Sequence, residues 1–395
     1  MHDKTSIWQK IALIISGFAF SVVLVIVALL LFPRLVPDAS SRAEAGTTLE
    51  VTFRESDGDM FVLQHGRVQP PEEDTLLGQW TLQWDENGFR VPAQVADNYP
   101  IAAFGDSFTE GATVAMPWSD VLADLLNIPV QNFGYRGYGP IEMAEVAEQY
   151  LSDDERSWVL YAHFSGNDLT NANRTEAIER SPLARMEWLL RQASANAELI
   201  AIEPTDDAIY PVPVIIGGSY YEIAFYEELL WWQVAPDGGF LNTQTFNTIG
   251  TSLDTIAAQT NDETCRAVIF IPSKEQIYYP YIYESSRNLF NVAFHQTVID
   301  SNNRVVLEGA TLPTEEVDAY ITRLGEQRDA MRDLAEEHGW YFIDLLEPFA
   351  LAAAQEQLLY YRYDGHWNQE GHNLAAQVIA DFMQTQTDTC PLNSR

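Results

Sequence analysis

The chain has 395 residues, of which 47% are hydrophobic and 12% aromatic, so it is long and apolar enough to bury one large core or two modest ones. This composition excludes a disordered protein. Its 57 acidic and 22 basic residues give a formal net charge of −35, which would repel nucleic acid and anionic membrane surfaces, and we expect no nucleic-acid partner.

The first feature along the chain is an uncharged run of twenty-two residues, Ile11 to Phe32. As a helix that rises about 1.5 Å per residue, it would cross a hydrocarbon core of about 30 Å, which predicts a single membrane anchor in the lipid bilayer. A cleaved signal peptide is the alternative, although the run is longer than a usual h-region and no A-x-A site follows closely. Because Lys4 and Lys10 precede the run, we expect a cytoplasmic N-terminus over residues 1–10 and an extracytoplasmic position for the rest of the chain.

A linker over residues 33–47 leads to a β-rich segment, residues 48–96. Its short strand-like runs are Leu49 to Phe53, Met60 to Leu63 and Trp80 to Trp84, which are separated by turn residues. The segment is either a separate module or a set of strands that pack on the main sheet.

From residue 97 to residue 385, apolar strand-like runs alternate with helical segments, a pattern typical of a parallel sheet covered on both faces. We therefore predict a three-layer α/β/α fold with about five parallel strands, followed by a tail over residues 386–395. The predicted strands are Ile101 to Phe104, Val130 to Phe133, Trp158 to His163, Ala267 to Ile271 and Tyr341 to Ile343, and the predicted helices are Ile141 to Tyr150, Thr243 to Gln259, Glu315 to His338 and Gln369 to Met383. An aromatic-rich insertion over residues 169–241 would form a lid or a platform for a sugar-like substrate, or cover an exposed edge of the sheet.

Chemically useful residues follow these strands, at the edge where open α/β sheets bind ligands. Ser107 comes directly after the first run and is a candidate nucleophile, while a glycine-rich turn and Asn167 follow the next two runs. Near the C-terminus, Asp364 and His366 stand two residues apart, so in an extended segment the carboxylate can orient the ring and leave its other nitrogen for a serine proton. Acyl transfer needs a nucleophile, a base oriented by an acid, and hydrogen-bond donors for the oxyanion, and these residues are candidates for each role.

Four short motifs occur in one order: Gly105-Asp106-Ser107, Gly137, Gly166-Asn167-Asp168 and Asp364-x-His366. In order and placement they resemble the signature blocks of the SGNH/GDSL hydrolase superfamily, over roughly Tyr99 to Phe382. The resemblance implies that Ser107 is the nucleophile, His366 the general base and then acid, and Asp364 its orienting partner. It also implies an oxyanion hole made by the backbone amides of Ser107 and Gly137 and the side chain of Asn167, with Gly134 or Gly139 as alternatives to Gly137.

The shorter Asp-x-His spacing, followed by Trp367, resembles the alginate-type O-acetyltransferase branch of that superfamily, and Ile271-Pro-Ser-Lys274-Glu is similar to a Pro-x-Lys turn of the branch. Lys274 would bind an acyl donor or an anionic sugar, or else pair with Glu275 at the surface. Trp367 is a second candidate for substrate binding.

Three functions remain open from the sequence. The first is a serine esterase acting on an ester or acylated carbohydrate. The second is an O-acetyltransferase for a cell-surface polysaccharide, with a membrane acyl-transfer partner of unknown identity. The third is a catalytically inactive glycan-binding or scaffold protein on the same fold.

Cys265 and Cys390 are the only cysteines in the chain. In an oxidising compartment they can form a disulfide that ties the tail to the domain, and two separate buried thiols are the alternative. Because no cluster of histidine, cysteine and aspartate has convincing metal-ligand spacing, we predict no metal and no cofactor.

Overall fold

A computed structural model describes residues 16–18, 20–22, 42–59, 74–151, 156–179, 209–283, 286–287, 294–309 and 319–392. The chain divides into two compact units, Met1–Ser41 with Arg174–Ala201 and Arg42–Asn173 with Ile202–Arg395. In the first unit, the described residues 16–18, 20–22 and 174–179 are helical. The second unit contains the strands and the residues of the predicted site.

The strands of the described residues are β1 (Thr48–Arg54), β2 (Leu76–Gln83), β3 (Ile101–Gly105), β4 (Val130–Gly134), β5 (Trp158–Phe164), β6 (Ile209–Ile216), β7 (Ser219–Tyr226), β8 (Cys265–Ile271), β9 (His295–Ile299), β10 (Val305–Gly309) and β11 (Tyr341–Asp344). The α-helices are α1 (Ser107–Glu110), α2 (Trp118–Leu126), α3 (Pro140–Tyr150), α4 (Asp168–Glu179), α5 (Glu227–Trp231), α6 (Gln244–Ala258), α7 (Lys274–Tyr278), α8 (Glu326–Glu337), α9 (Leu346–Ala354) and α10 (Gln369–Thr385).

A five-stranded parallel sheet lies at the centre, in the order β11-β8-β5-β3-β4. These strands are the five predicted apolar runs, so the prediction of an α/β fold with about five parallel strands is confirmed. Every residue of β3 and of β5 is buried. Such uninterrupted apolar strands form where helices cover both faces of a sheet.

Two hydrophobic cores lie on the two faces of this sheet. Successive side chains of a strand point to opposite faces, so Ala103 of β3 belongs to one core and Phe104 to the other. The first core includes Trp118 of α2 and Ile379 of α10, and the second includes Met143 of α3. The helices therefore form the two outer layers of an α/β/α arrangement.

Among the described residues, the strands of the β-rich segment pair only with each other. β1 and β2 form an antiparallel two-stranded sheet, so these strands do not extend the main sheet. The predicted strand Met60 to Leu63 lies outside the described residues. The end of the predicted linker is folded, because the Arg42 guanidinium lies 4.6 Å from the ring centre of Phe89 and donates to Tyr150 Oη at 2.9 Å.

The aromatic insertion contributes mainly to the interior. Phe225 and Trp231 are fully buried in the second unit, whereas Tyr220 is 65% exposed. β6 and β7 form an antiparallel hairpin. Packing against the fold therefore explains most of these rings, and residues 180–208 of the insertion lie outside the described residues.

Most of the predicted anchor, residues 11–32, also lies outside the described residues. Within the described part of the chain, no helix has both the length and the apolar character that crossing a membrane requires.

Candidate active site

Ser107 is the first residue of α1, at the carboxyl end of β3. The Asp106 side chain caps this short helix by accepting a hydrogen bond from the Phe108 amide at 2.9 Å. Gly134 lets the helix pack against the end of β4, because an added Cβ there would lie 2.5 Å from the Glu110 amide nitrogen. The turn therefore presents the serine hydroxyl at the edge of the sheet.

The three predicted catalytic residues meet at this edge. His366 Nε2 lies 2.8 Å from Ser107 Oγ, and His366 Nδ1 lies 2.7 Å from Asp364 Oδ1. The carboxylate accepts a hydrogen bond from the Nδ1–H group, which leaves Nε2 as the nitrogen that can take the serine proton. The distances are those of a hydrogen-bonded proton relay.

The segment that carries the acid and the base is fixed by Lys274. Its ammonium donates to the backbone carbonyls of Tyr361 at 3.2 Å, Arg362 at 3.3 Å and Asp364 at 2.9 Å. Lys274 is 1% exposed. It therefore points into the fold, and neither predicted role, a substrate contact or a surface pair with Glu275, matches this position.

Trp367 also differs from its predicted role in substrate binding. Its side chain is fully buried, with ring centroids 5.0 Å from those of both Phe108 and Phe349. Phe108 also contacts the ring of His366, at 5.0 Å between centroids, so it packs against both the indole and the base.

Burial and neighbouring charges shift the pKa values of the relay. Burial alone would lower the pKa of His366, but the charge and hydrogen bond of Asp364, together with the charges of Asp59 and Asp106, raise it to about 9. Burial would raise the pKa of Asp364, yet His366 holds it below its usual value. The pair therefore favours a carboxylate beside an imidazolium.

A cavity of about 230 Å³ opens beside the serine and the histidine. Its described lining includes both apolar and acidic side chains and consists of Asp59, Ser107, Phe108, Phe164, Asn167, Tyr226, Glu228, Leu229, Gly365 and His366. Because the cavity is smaller than most sites for drug-sized ligands, it suits a short acyl group.

Of the three predicted oxyanion donors, the structure brings Ser107 and Asn167 to the cavity. The loop that bears Asn167 is closed by a hydrogen bond of 2.9 Å from the Phe164 amide to Asp168 Oδ2. Gly137 does not belong to the described lining of the cavity.

The turn that contains Gly137 is held against α1 by an ion pair. Arg136 Nη2 lies 2.7 Å from Glu110 Oε1, and the Arg136 backbone amide donates to the same carboxylate at 3.0 Å. Gly137 itself has φ +77°, the left-handed region that favours glycine. A turn requirement therefore explains why a glycine stands here, and the oxyanion role of its amide stays a prediction.

Asp59 is a site residue that the sequence did not indicate. Its backbone amide donates to Asp364 Oδ2 at 3.1 Å, and its side chain accepts from the Gly365 amide at 3.0 Å. It lies in Ser56-Asp-Gly-Asp59, a sequence typical of a turn, so only tertiary contacts reveal it. The insertion adds Tyr226 and Glu228 to the lining, and aromatic content was its only signal.

Oxygen and nitrogen atoms of Asp59, Asp364 and His366 lie within 4.8 Å of one another, the one such group of acidic and histidine side chains in the described residues. Both ring nitrogens of His366 already form hydrogen bonds in the relay. A cation at this place would compete with Ser107 for the base, so the arrangement fits proton transfer better than metal binding. The absence of a metal and of a cofactor stays a prediction.

Cys265 and Cys390 are joined in a disulfide, with their Cα atoms 5.9 Å apart. The bridge links the first residue of β8 to the segment that follows α10. It therefore closes a loop that includes Asp364 and His366.

Residues 297–393 match a family model described as the SGNH hydrolase-like domain of the acetyltransferase AlgX. The match spans about a quarter of the chain and includes Asp364, His366 and Cys390, while Ser107 and Asn167 lie outside it. The resemblance to SGNH hydrolases and to their acetyltransferase branch is thereby confirmed. No curated protein matches the chain.

Two solved structures of lipolytic and acylhydrolase proteins are loosely similar to this chain. A lipolytic protein of the G-D-S-L family from Veillonella parvula is 14% identical with a TM-score of 0.34, over 72% of this chain and 97% of that one. A lipase/acylhydrolase from Enterococcus faecalis is 13% identical with a TM-score of 0.35, over 72% and 95%. Because both TM-scores are low, these similarities carry no argument about the fold or the site. The strand pairing and the side-chain contacts of this chain define both.

Proposed function

We propose that this protein is an SGNH-type serine esterase that acts through an acyl-serine intermediate. The observation that carries the proposal is the hydrogen-bonded series Ser107, His366 and Asp364 beside a small cavity. Its members come from opposite ends of the domain, and each has the contact that acyl transfer requires.

The reaction begins when Ser107 Oγ attacks the carbonyl carbon of an ester while its proton passes to His366 Nε2. Asp364 stabilises the imidazolium, and the Ser107 amide and the Asn167 side chain stabilise the negative oxygen of the tetrahedral intermediate. His366 then returns the proton to the leaving alcohol as its bond to the carbonyl carbon breaks. Water then attacks the carbonyl carbon of the acyl-serine while its proton passes to His366 Nε2. The bond between that carbon and Ser107 Oγ breaks as His366 returns the proton to Ser107 Oγ, and the carboxylic acid leaves.

O-acetyl transfer to a polysaccharide hydroxyl is the second candidate, and the family model of an acetyltransferase domain favours it. The chemistry differs only in the acceptor, since a sugar hydroxyl replaces water in the second step.

We further propose that the protein is anchored by residues 11–32 and acts outside the cytoplasm, where a disulfide is stable. Membrane fractionation with protease treatment of intact cells tests this position, and protease resistance of the domain would contradict it.

The nucleophile is tested with the Ser107→Ala variant of the full chain. We expect kcat for a short-chain aryl ester to fall by about 10⁴-fold or more, because the residual rate comes from binding and the oxyanion donors alone. Labelling by a serine-directed phosphonate should disappear. Ser165→Ala is a matched control, since this buried serine lies two residues before Asn167 and outside the relay. Equal activity of Ser107→Ala and the wild type would reject the assignment.

Hydrolysis and transfer are separated by supplying an acetyl ester with and without an oligosaccharide acceptor. Hydrolysis predicts release of acetate at a rate that the acceptor does not change. Transfer predicts acetylated oligosaccharide and a matching decrease in free acetate. Glycan binding without turnover of any ester would favour the inactive scaffold.

A further inference from the structure

Asp59 comes from the segment that follows β1, outside the four sequence motifs, yet it lines the cavity with Ser107 and His366. Its hydrogen bonds run to the acid, Asp364, and to Gly365, which lies between the acid and the base. The backbone amide donates to Asp364 Oδ2 at 3.1 Å, and its own carboxylate accepts from the Gly365 amide at 3.0 Å. The Asp-Gly-His segment is therefore tied down from the cavity side.

The same segment is also held by Lys274, which donates to the Asp364 carbonyl at 2.9 Å. Asp59 and Lys274 thus hold the same short segment through different atoms, since Asp59 bonds the Asp364 carboxylate and the Gly365 amide whereas Lys274 bonds the Asp364 carbonyl. Because a catalytic base must stay within hydrogen-bond reach of its nucleophile, fixing this backbone fixes the distance from His366 Nε2 to Ser107 Oγ.

Asp59 is itself held in place by its neighbours. Arg362 Nε donates to Glu55 Oε1 at 2.7 Å, and the Phe53 and Tyr361 rings pack edge to face at 5.1 Å between centroids. Gly58 lies so close to the Tyr363 carbonyl that an added Cβ would collide with it. The β-rich segment therefore contacts residues 361–366, the catalytic segment, at several points.

The charged groups that face Asp59 belong to three elements. Asp364 and His366 lie on the catalytic segment, Lys274 on α7, and Glu228 lines the same cavity from α5. Burial raises the pKa of Asp59 to about 6, with Asp364 adding to the effect and His366 opposing it. At neutral pH the carboxylate is mostly ionised, so it adds negative charge next to the imidazole.

We propose that Asp59 is a positioning residue of the active site, which holds His366 in line with Ser107 and supplies a second negative charge to the imidazolium. The inference rests on the proposed acyl-serine chemistry. It makes the β-rich segment a part of the active site and not a separate module.

The test compares Asp59→Asn and Asp59→Ala in the full chain, with Asp57→Asn as the matched control. Asp57 is an exposed carboxylate two residues away that contacts only its own turn in the described hydrogen bonds. Asp59→Asn keeps an acceptor for the Gly365 amide but loses the charge. We expect the midpoint of kcat/KM against pH to move to lower pH by about half a unit or more, because removing a nearby negative charge makes the imidazolium less stable.

Asp59→Ala removes the acceptor as well, so we expect kcat to fall by about tenfold beyond the loss in Asp59→Asn, with a smaller change in KM. A residue with only a structural role would lower Tm and leave the pH midpoint in place. If Asp59→Ala does not fold, Asp59→Asn decides the question. Equal pH midpoints of Asp59→Asn and Asp57→Asn would overturn the proposal.

An independent measurement separates this inference from the proposed function. The pKa of His366 can be followed by NMR with labelled histidine, using a His366→Asn sample for assignment. If Ser107→Ala leaves ester turnover unchanged, the proposed function fails, whereas a lower His366 midpoint in Asp59→Asn still supports the contact. If Ser107→Ala abolishes turnover and both aspartate variants titrate alike, the function stands and the role of Asp59 fails.

Discussion

The His366 imidazole stands between a carboxylate that stabilises its charged form and a hydroxyl that requires its neutral form. Burial alone would lower its pKa, but Asp364, Asp59 and Asp106 raise it to about 9. Only the neutral ring can accept the Ser107 proton. The same contacts that orient the base therefore limit the fraction of enzyme that is ready to react at neutral pH.

The first prediction concerns the pH dependence of ester turnover. Below the raised pKa the neutral fraction falls about tenfold per pH unit, so kcat/KM for an uncharged aryl ester should rise from pH 6 and level off near pH 9. Initial rates, corrected for spontaneous hydrolysis, measure this curve. Enzyme returned to pH 8 after each incubation serves as a control for inactivation. A plateau that is already reached at pH 6 would contradict the raised pKa.

The second prediction concerns the oxyanion donor. Asn167→Ala should lower kcat by about 10²- to 10³-fold with little change in KM, because the amide contacts the oxygen most strongly in the transition state. Asn302→Ala, at an exposed turn, is the control. Steady-state kinetics on the same ester gives both constants. A change in KM alone would place Asn167 in substrate binding and not in the oxyanion hole.

At the scale of elements, α7 carries a buried pair, Lys274 and Glu275, under the catalytic segment. Lys274 donates to three carbonyls of that segment, and Glu275 accepts from the Tyr226 amide at 2.8 Å. Burial lowers the pKa of Lys274 to about 8 and raises that of Glu275 to about 7, while each charge partly offsets the shift of the other. Through these hydrogen bonds, Lys274 and Glu275 connect Tyr226 of the insertion to the segment that carries the acid and the base.

The third prediction is that Lys274→Met lowers the free energy of unfolding by about 3–5 kcal/mol, since it leaves the Glu275 carboxylate buried without its cation. Adding Glu275→Gln should restore part of this loss. Urea denaturation of the two variants and the wild type measures both effects. If the double variant is no more stable than Lys274→Met, the loss comes from the carbonyl contacts and not from the unpaired carboxylate.

The elements of the main sheet were predictable because their signal is local. Each of the five strands is a short apolar run between turn residues, and the predicted runs differ from the observed ends by one or two residues. Ser107 and the Asp364–His366 pair were predictable for the same reason, since their spacing is itself a pattern. The roles of Lys274 and Asp59 were not predictable, because they depend on contacts with Asp364. This residue lies 90 positions from Lys274 and 305 positions from Asp59 in the sequence.

At the scale of the whole molecule, the acid and the base approach the nucleophile from the far end of the chain. His366 and Ser107 are 259 residues apart in sequence. The catalytic segment leads directly into α10, whose first turn is capped by Asn368. The position of α10 on the sheet therefore helps to set the geometry of the relay, and the Cys265–Cys390 bridge secures the segment that follows this helix.

The last prediction is that this disulfide stabilises the fold without taking part in the reaction. It closes a loop of 125 residues, which restricts the unfolded chain, so the Cys265→Ser/Cys390→Ser variant should lose about 2–5 kcal/mol of unfolding free energy. The bridge lies at the start of β8, whereas the catalytic residues lie at the carboxyl ends of the strands, so kcat at 25 °C should change less than about twofold.

Denaturation of the wild type with and without reductant, beside the double variant, measures the contribution of the bridge. The single variants show whether an unpaired thiol adds an effect of its own. Loss of turnover in a double variant that remains folded would mean that the bridge also positions α10 and, through it, His366. An unchanged midpoint on reduction would mean that packing of α10 alone holds the C-terminal segment on the sheet.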